Sequence, residues 1–269
     1  MVYCWFADYH SCLPILFSKI WRKRSYLVLG GYDVKNIPEL KYGSFSKPIR
    51  RFCARYSIKN ATLNLPVTES LVDDARKYIE DFKFRVLPTG YDPEAYTYSN
   101  HKEKVVLTIS ITDTYQRYKV KGLDRFVELA ELMPDFKFKL IGVLQAAEHL
   151  FKDIPENMEL LPPLAHDILK GIYRSSMFYA QFSRSEGMPN TICEAMLSKC
   201  IPIGLKVGGV PDVIGNSGIV FDDWEPVQVK QSIEENFENT ALADSARERV
   251  KKLYSIKKRE QELKLILCS

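Results

Sequence analysis

The sequence is poor in the features that mark a metal or redox protein. Its six cysteines (Cys4, Cys12, Cys53, Cys193, Cys200 and Cys268) include no C-x-x-C pair, and none of the four histidines stands at zinc-finger spacing. The cysteines are therefore expected as reduced, mostly buried thiols of a cytosolic chain, with no spacing that supports a disulfide. No uncharged apolar run approaches the ~18 residues that suggest a membrane-spanning helix. Residues 1–6 are apolar but lack the basic start and small-residue cleavage site of a secretory signal. No repeat of fixed period and no low-complexity stretch occurs. With 46% hydrophobic and 27% charged residues, the composition excludes a disordered chain, a collagen-like fibre and a small disulfide scaffold. A net charge of +4 is too slight to point by itself to nucleic acid.

What the sequence does contain is alternation. Strand-length apolar runs at residues 2–7, 26–29, 62–65 and 84–87 alternate with helical patterns at 12–21, 48–59 and 69–79. A polar stretch at 91–104, rich in Tyr, Pro and Asn and without periodicity, reads as a linker. A second series follows, with strands expected at 105–109, 136–142, 176–182 and 201–203. Leu123, Phe126, Val127 and Ala130 mark one face of a helix, and residues 189–199 read as another that opens with proline. Helical patterns fill most of the chain from Pro226 onward. Strands separated by helices imply parallel sheets with helices on both faces, and the length of 269 residues allows two domains. The expected fold class is α/β, as two Rossmann-like domains.

The segment at 182–202, FSRSEGMPNTICEAMLSKCIP, is the most informative. A strand ends near Phe182, a short loop carries Glu186 and Gly187, and Pro189 opens a helix. Parallel sheets bind ligands where strands end and helices begin, and a helix start favours phosphate. Glu194, in the second turn, leans back toward the same mouth. A carboxylate only accepts hydrogen bonds, which suits a ribose diol. The ligand so described is a nucleotide carrying a sugar; an ordinary exposed loop and a surface glutamate remain the plain alternative.

Four ordered motifs carry a resemblance. They are Leu87-Pro88-Thr89-Gly90-Tyr91-Asp92, Lys121-Gly122, the pair Glu186-Gly187 and Glu194-Ala195 with seven residues between the two glutamates, and Gly208-Gly209-Val210-Pro211-Asp212. Together they resemble the retaining glycosyltransferases of family 4, which have the GT-B fold. The resemblance implies an acceptor-side N-terminal domain at 1–96, a nucleotide-sugar-binding domain at 97–250, and a C-terminal helix at 251–269 that packs back toward the first. It implies Glu186 and Lys121 as catalytic groups. It also implies a donor site of Arg117, Lys121, Glu186, Gly187, Met188, Pro189, Asn190, Thr191 and Glu194, with Glu194 on the ribose and Lys121 on the diphosphate. The nucleotide sugar is a substrate, and neither metal nor other cofactor is expected. A glycan or lipid-linked acceptor, in bacterial polysaccharide or glycolipid assembly in the cytoplasm or at the inner face of the membrane, completes the expectation.

The sequence departs from that family in two places. The family's Gly-Arg after the first strand of its C-terminal domain is replaced by Ser110-Ile111-Thr112-Asp113, and Arg117 is the substitute available. The first series also supplies fewer strands than a complete N-terminal domain, so the chain is expected to begin mid-domain, with activity compromised by that truncation. Asp8, His10 and Asp33 fall at strand ends of this half, where acceptor contact and plain turn or capping roles stay open. A non-catalytic nucleotide-sugar-binding module and a GT-B sugar-nucleotide epimerase are the rival readings.

Basic residues gather in two stretches. Lys19, Arg22, Lys23 and Arg24 cluster at the end of an apolar helix with Trp21, which suits either an anionic membrane surface or a core helix with its basic end complementing the dipole. Residues 247–269 hold eight basic and three acidic side chains, read as a solvated helix with Leu253, Ile256, Leu263, Leu265, Ile266 and Leu267 as its buried face. Neither stretch has the aromatic interleaving that favours single-stranded nucleic acid.

Overall fold

A computed structural model describes residues 1–268, so Ser269, the last residue of the expected C-terminal helix, lies outside the described residues. The chain divides into two units. The first comprises Met1–Thr89, Glu186–Met188 and residues 259–268; the second comprises Gly90–Ser185 and Pro189–Lys258.

The first unit is built on β1 (Val2–Trp5), α1 (Tyr9–Ile20), β2 (Ser25–Leu29), α2 (Pro48–Asn60), β3 (Leu63–Pro66) and α3 (Glu69–Arg76). Its sheet is parallel throughout, in the order β1-β2-β3. The central strand is buried along its whole length, as its unbroken run of Tyr26, Leu27, Val28 and Leu29 requires. Asp8 starts α1 through a capping box with Ser11. The strand expected at 84–87 is not formed. Phe84 makes one bridge to Asn64, and Leu87 donates to the Pro66 carbonyl at 2.9 Å. Pro66 has no N–H to return, so the ladder stops there. Arg259 donates to the Leu87 carbonyl at 2.9 Å and also to that of Pro88, and Tyr26 donates to the Ile266 carbonyl at 3.4 Å.

The second unit holds β4 (Glu103–Thr112), α4 (Tyr115–Val120), α5 (Leu123–Leu132), β5 (Lys137–Val143), β6 (Met158–Leu161), α6 (His166–Ser175) and β7 (Ser176–Gln181). It continues through α7 (Asn190–Leu197), β8 (Ile201–Leu205), α8 (Val210–Ile214), β9 (Ile219–Phe221), α9 (Pro226–Glu235) and α10 (Thr240–Leu253). A last helix, α11 (Ile256–Cys268), ends the described chain. The six-stranded sheet is parallel, in the order β6-β5-β4-β7-β8-β9. The chain therefore winds outward from β4 in one direction and from β7 in the other. The topological switch falls between these two strands, where an open α/β sheet presents its ligand crevice. Strands β7 and β8 are wholly buried, and α5 lays Leu123, Phe126, Leu129 and Ala130 on the core.

Several expectations need correction. β6 and β9 were not anticipated; each has at most four residues and is partly exposed, which leaves little pattern to read. The stretch at 91–104 is not a free linker. Tyr91 and Tyr96 are buried, Tyr91 exchanges backbone hydrogen bonds with Tyr254 and Ile256 at 2.8 Å, and Arg247 donates to the Tyr96 carbonyl at 3.0 Å. Of the apolar residues assigned to the last helix's buried face, Ile266 is buried and Leu265 is exposed. All six cysteines are free, but only Cys193 and Cys200 are fully buried.

Candidate functional site

At the carboxyl ends of β4 and β7 two loops meet. Arg184 donates its backbone N–H to the Val120 carbonyl at 2.7 Å. Gly122 lies so close to the second loop that a Cβ on it would sit 2.0 Å from the Phe182 carbonyl oxygen, and its φ of +65° is left-handed. Lys121, the half-buried C-cap of α4, is thereby set against Phe182, Ser183 and Arg184.

Charges of both signs surround these loops: Lys119 and Arg184 pair with Asp124, Arg117 pairs with Asp113, and Arg125 lies near the carboxylates of Asp124, Glu128 and Asp223. Asp124 takes a bidentate pair from Arg184 at 2.7 and 2.8 Å and a third bond from Lys119 at 2.8 Å. Burial works against the Asp124 carboxylate, but these hydrogen bonds and charges outweigh it and hold its pKa below the usual range. Arg117 pairs with Asp113 at 3.4 Å from an exposed position on α4. Arg125 donates to the Phe182 carbonyl at 3.0 Å and lies 5.8 Å from the Trp224 ring centre.

The Asp124 cluster gives a pH signature. A depressed folded pKa adds stability that is fully present above the unfolded value of about 3.9. That stability is lost as pH falls through the lower folded value. Asp124→Asn is expected to cost about 1.5–3 kcal/mol at neutral pH, the range for hydrogen bonds to charged groups. The gap between variant and parent should close below about pH 4. Urea midpoints across that range check it, and a gap that persists undiminished in acid would exclude this role.

The helix α7 starts at Asn190, with Pro189 as an N-cap that supplies no side-chain bond, one residue later than the sequence suggested. Asn190 is exposed and accepts from the Tyr91 hydroxyl at 2.6 Å; Thr191 is half-buried. Glu194 is held from two sides. The buried Tyr173 hydroxyl donates to its Oε2 at 3.0 Å, and His166 Nε2 lies 3.5 Å from its Oε1. The Tyr96 hydroxyl in turn lies 3.2 Å from the same imidazole nitrogen. Burial and the neighbouring carboxylate together push the Tyr173 and Tyr96 hydroxyls far above their ordinary pKa, so both stay protonated. Sequence reasoning missed Tyr173 and His166, because α6 carries no recognisable motif. It also missed the Asp124–Arg184 pair, although both flank motif residues.

Glu186, Gly187 and Met188 belong to the first unit. All three are buried. Gly187 is the contact residue: a Cβ there would lie 1.9 Å from the Gly30 carbonyl oxygen. Met188 Sδ accepts from the Thr89 N–H at 3.3 Å. In the same unit, Asp33 is buried and turned toward backbone, accepting from the N–H groups of Ala7 (3.1 Å), Gly30 (3.1 and 3.2 Å) and Gly31 (2.7 Å). Burial pushes its carboxyl up, against the pull of those bonds. Asp8 caps α1 and pairs with Arg50 at 3.0 Å, and His10 Nε2 lies 2.7 Å from the Trp5 carbonyl. Among the described residues, no group of three or more His, Cys, Asp or Glu is placed to hold a metal ion, and no helix is long and apolar enough to cross a membrane.

Known structures share this architecture. The chain aligns with sucrose-phosphate synthase from Thermosynechococcus elongatus at TM-score 0.78 and 14% identity, over 98% of this chain and 72% of that one. With Anabaena Alr3699/HepE in complex with UDP-glucose the values are 0.78 and 16%, over 99% and 78%. With S. aureus TarM they are 0.73 and 18%, over 95% of this chain and 53% of that one, so the chain spans about half of TarM's length. At these identities the likeness carries the fold, α/β with parallel sheets of the GT-B kind. No curated protein matches the sequence. Residues 103–239, a little over half of the chain, match the family described as glycosyl transferases group 1, and the chain belongs to that family.

Proposed function

We propose that the chain takes part in glycosyl transfer from a nucleotide sugar, in the retaining manner of family 4, to a glycan or lipid-linked acceptor in polysaccharide or glycolipid assembly. One observation carries the reading: the switch point between β4 and β7 brings Lys121 and Gly122 against the loop that leads to α7, whose second turn carries Glu194. In this reading Lys121 and the uncapped start of α7 take the diphosphate, and Glu194, preset by Tyr173, takes the ribose hydroxyls. The bond from the anomeric carbon to the diphosphate breaks, the acceptor oxygen bonds to that carbon on the same face, and the acceptor's hydroxyl proton passes to the departing diphosphate oxygen. The cation and the helix start stabilise charge on the departing nucleoside diphosphate. Glu186 through Pro189 contact the donor sugar, with Glu186 supporting rather than attacking. Arg117 is a further donor contact, and the reading includes no metal or other cofactor. The setting proposed is the bacterial cytoplasm.

Thermal-shift titration with UDP, GDP, ADP and CMP tests it. A nucleotide at ~100 times its dissociation constant should stabilise the chain by about 2.7 kcal/mol. Glu194→Ala should weaken that nucleotide roughly ten- to hundred-fold, by loss of charge-assisted bonds worth about 1.5–3 kcal/mol. Lys121→Ala should weaken the diphosphate more than the bare nucleoside. Unchanged affinity in the Glu194 variant would sink the ribose assignment. Binding without transfer or donor hydrolysis would instead favour a non-catalytic module.

A further inference from the structure

Helix α1 is amphipathic in the reverse sense. The residues it buries are Ser11, Ile15 and Ser18, two of them small and polar. Those it exposes include Leu13 (59%), Phe17 (43%) and Ile20 (61%), and Trp21 (66%) follows at its C-cap, stacked on Phe17 with ring centres 5.2 Å apart. A helix packed only on its own unit would turn these large side chains inward. On the neighbouring α2, joined to α1 through Ser11–Ser57 and Lys19–Asn60 hydrogen bonds, Ile49 and Phe52 are also exposed.

Beside this apolar face lies a basic hollow of about 400 Å³. Its lining includes Lys19, Arg22, Lys23, Arg24 and Lys59, with Ser18, Ser25, Asn60 and Thr62 and not one acidic side chain. The charge is concentrated on a larger scale too. The first 68 residues hold eleven basic and three acidic side chains, a net +8, so the remaining 201 residues carry −4 of the chain's overall +4. Such asymmetry points to an anionic partner surface.

We propose that this face of the first unit docks on a membrane that carries anionic lipids. Leu13, Phe17, Ile20 and Trp21 enter the boundary between headgroups and acyl chains, where tryptophan is favoured, while Lys19, Arg22, Lys23, Arg24 and Lys59 meet the headgroup phosphates. An apolar face and a polybasic patch are the two signals that stable peripheral attachment needs in combination. A second copy of the chain is the poorer occupant, because pairing the same face would bring like charges together. This inference stands on the first unit alone and is independent of the donor reading.

Co-sedimentation with phosphatidylcholine vesicles, with and without phosphatidylglycerol, tests the proposal. The full chain should pellet with the phosphatidylglycerol vesicles, be released by salt, and stay largely in solution with phosphatidylcholine alone. Arg22→Gln with Lys23→Gln should lower the partition coefficient about 25-fold, at roughly five-fold per charge. Phe17→Ser with Trp21→Ser should abolish pelleting, with an unchanged melting temperature because both side chains are exposed. No pelleting, equal pelleting with both lipids, or pelleting unmoved by either double variant would overturn the proposal. So would light scattering that shows a dimer which both double variants dissociate, since that would assign the face to a second copy.

Discussion

Gly122→Ala is expected to destabilise the second unit by about 2–5 kcal/mol and to abolish nucleotide binding with it. Two costs combine at this residue. A φ of +65° costs an L-residue with a Cβ roughly 1–2 kcal/mol. The new methyl would also lie 2.0 Å from the Phe182 carbonyl oxygen, itself held by Arg125, and such overpacking typically costs about 1–3 kcal/mol. Against a usual domain stability of about 5–15 kcal/mol, that is a large share. Gly171→Ala is the control. Gly171 lies in α6 with open space around its Cβ position, so the change should be neutral or stabilise by up to about 1 kcal/mol. Denaturant midpoints of the two variants and the parent decide the matter. If the Gly122 variant melted with the parent, the two loops would not be in the contact described.

Asp33→Ala should cost the first unit about 3–5 kcal/mol. The carboxylate is 1% exposed and is the acceptor for the N–H groups of Ala7, Gly30 and Gly31, which follow β1 and β2. Each buried donor left without a partner costs about 1–3 kcal/mol. The three losses will not add fully, because the loop relaxes and admits water. Asp33→Asn keeps one acceptor oxygen and should recover part of the loss. Calorimetric melting of both variants, each with and without nucleotide, separates the outcomes. A purely acceptor-binding role for Asp33 would leave the melting of the unliganded chain unchanged.

Much of the architecture was legible because it rests on local pattern. The β-branched run Val105-Val106 and the alternation of Phe138 and Leu140 with Lys137 and Lys139 give strands, since burial on one or both faces leaves few alternatives. The motif residues were equally legible, because Gly122 and Gly187 each stand where a Cβ cannot fit. What stayed hidden depends on partners far apart in the chain. Nothing near Glu194 announces that Tyr173, 21 residues earlier, will hold its carboxylate. Asp33 reads as a strand-end polar group open to ligand or to a turn role, and nothing near it announces that the backbone of Ala7, 26 residues away, will donate to one of its oxygens. α1 stayed open in a different way: its apolar residues fit either a core helix or a membrane surface, and only the fold shows that its serines face inward.

The three-part composition of the first unit has a consequence for biosynthesis. Its sheet and helices precede the second unit in the sequence, Glu186–Met188 follow four of the six strands of the second sheet, and residues 259–268 come after all six. This unit therefore cannot be completed by domain-by-domain folding until segments beyond the second unit have been made. Until those residues are made, Arg259 is not there to hold the Leu87 and Pro88 carbonyls, nor is Ile266 there to cover Tyr26. Of the two units, the one that opens earlier in this sequence is the one that closes later.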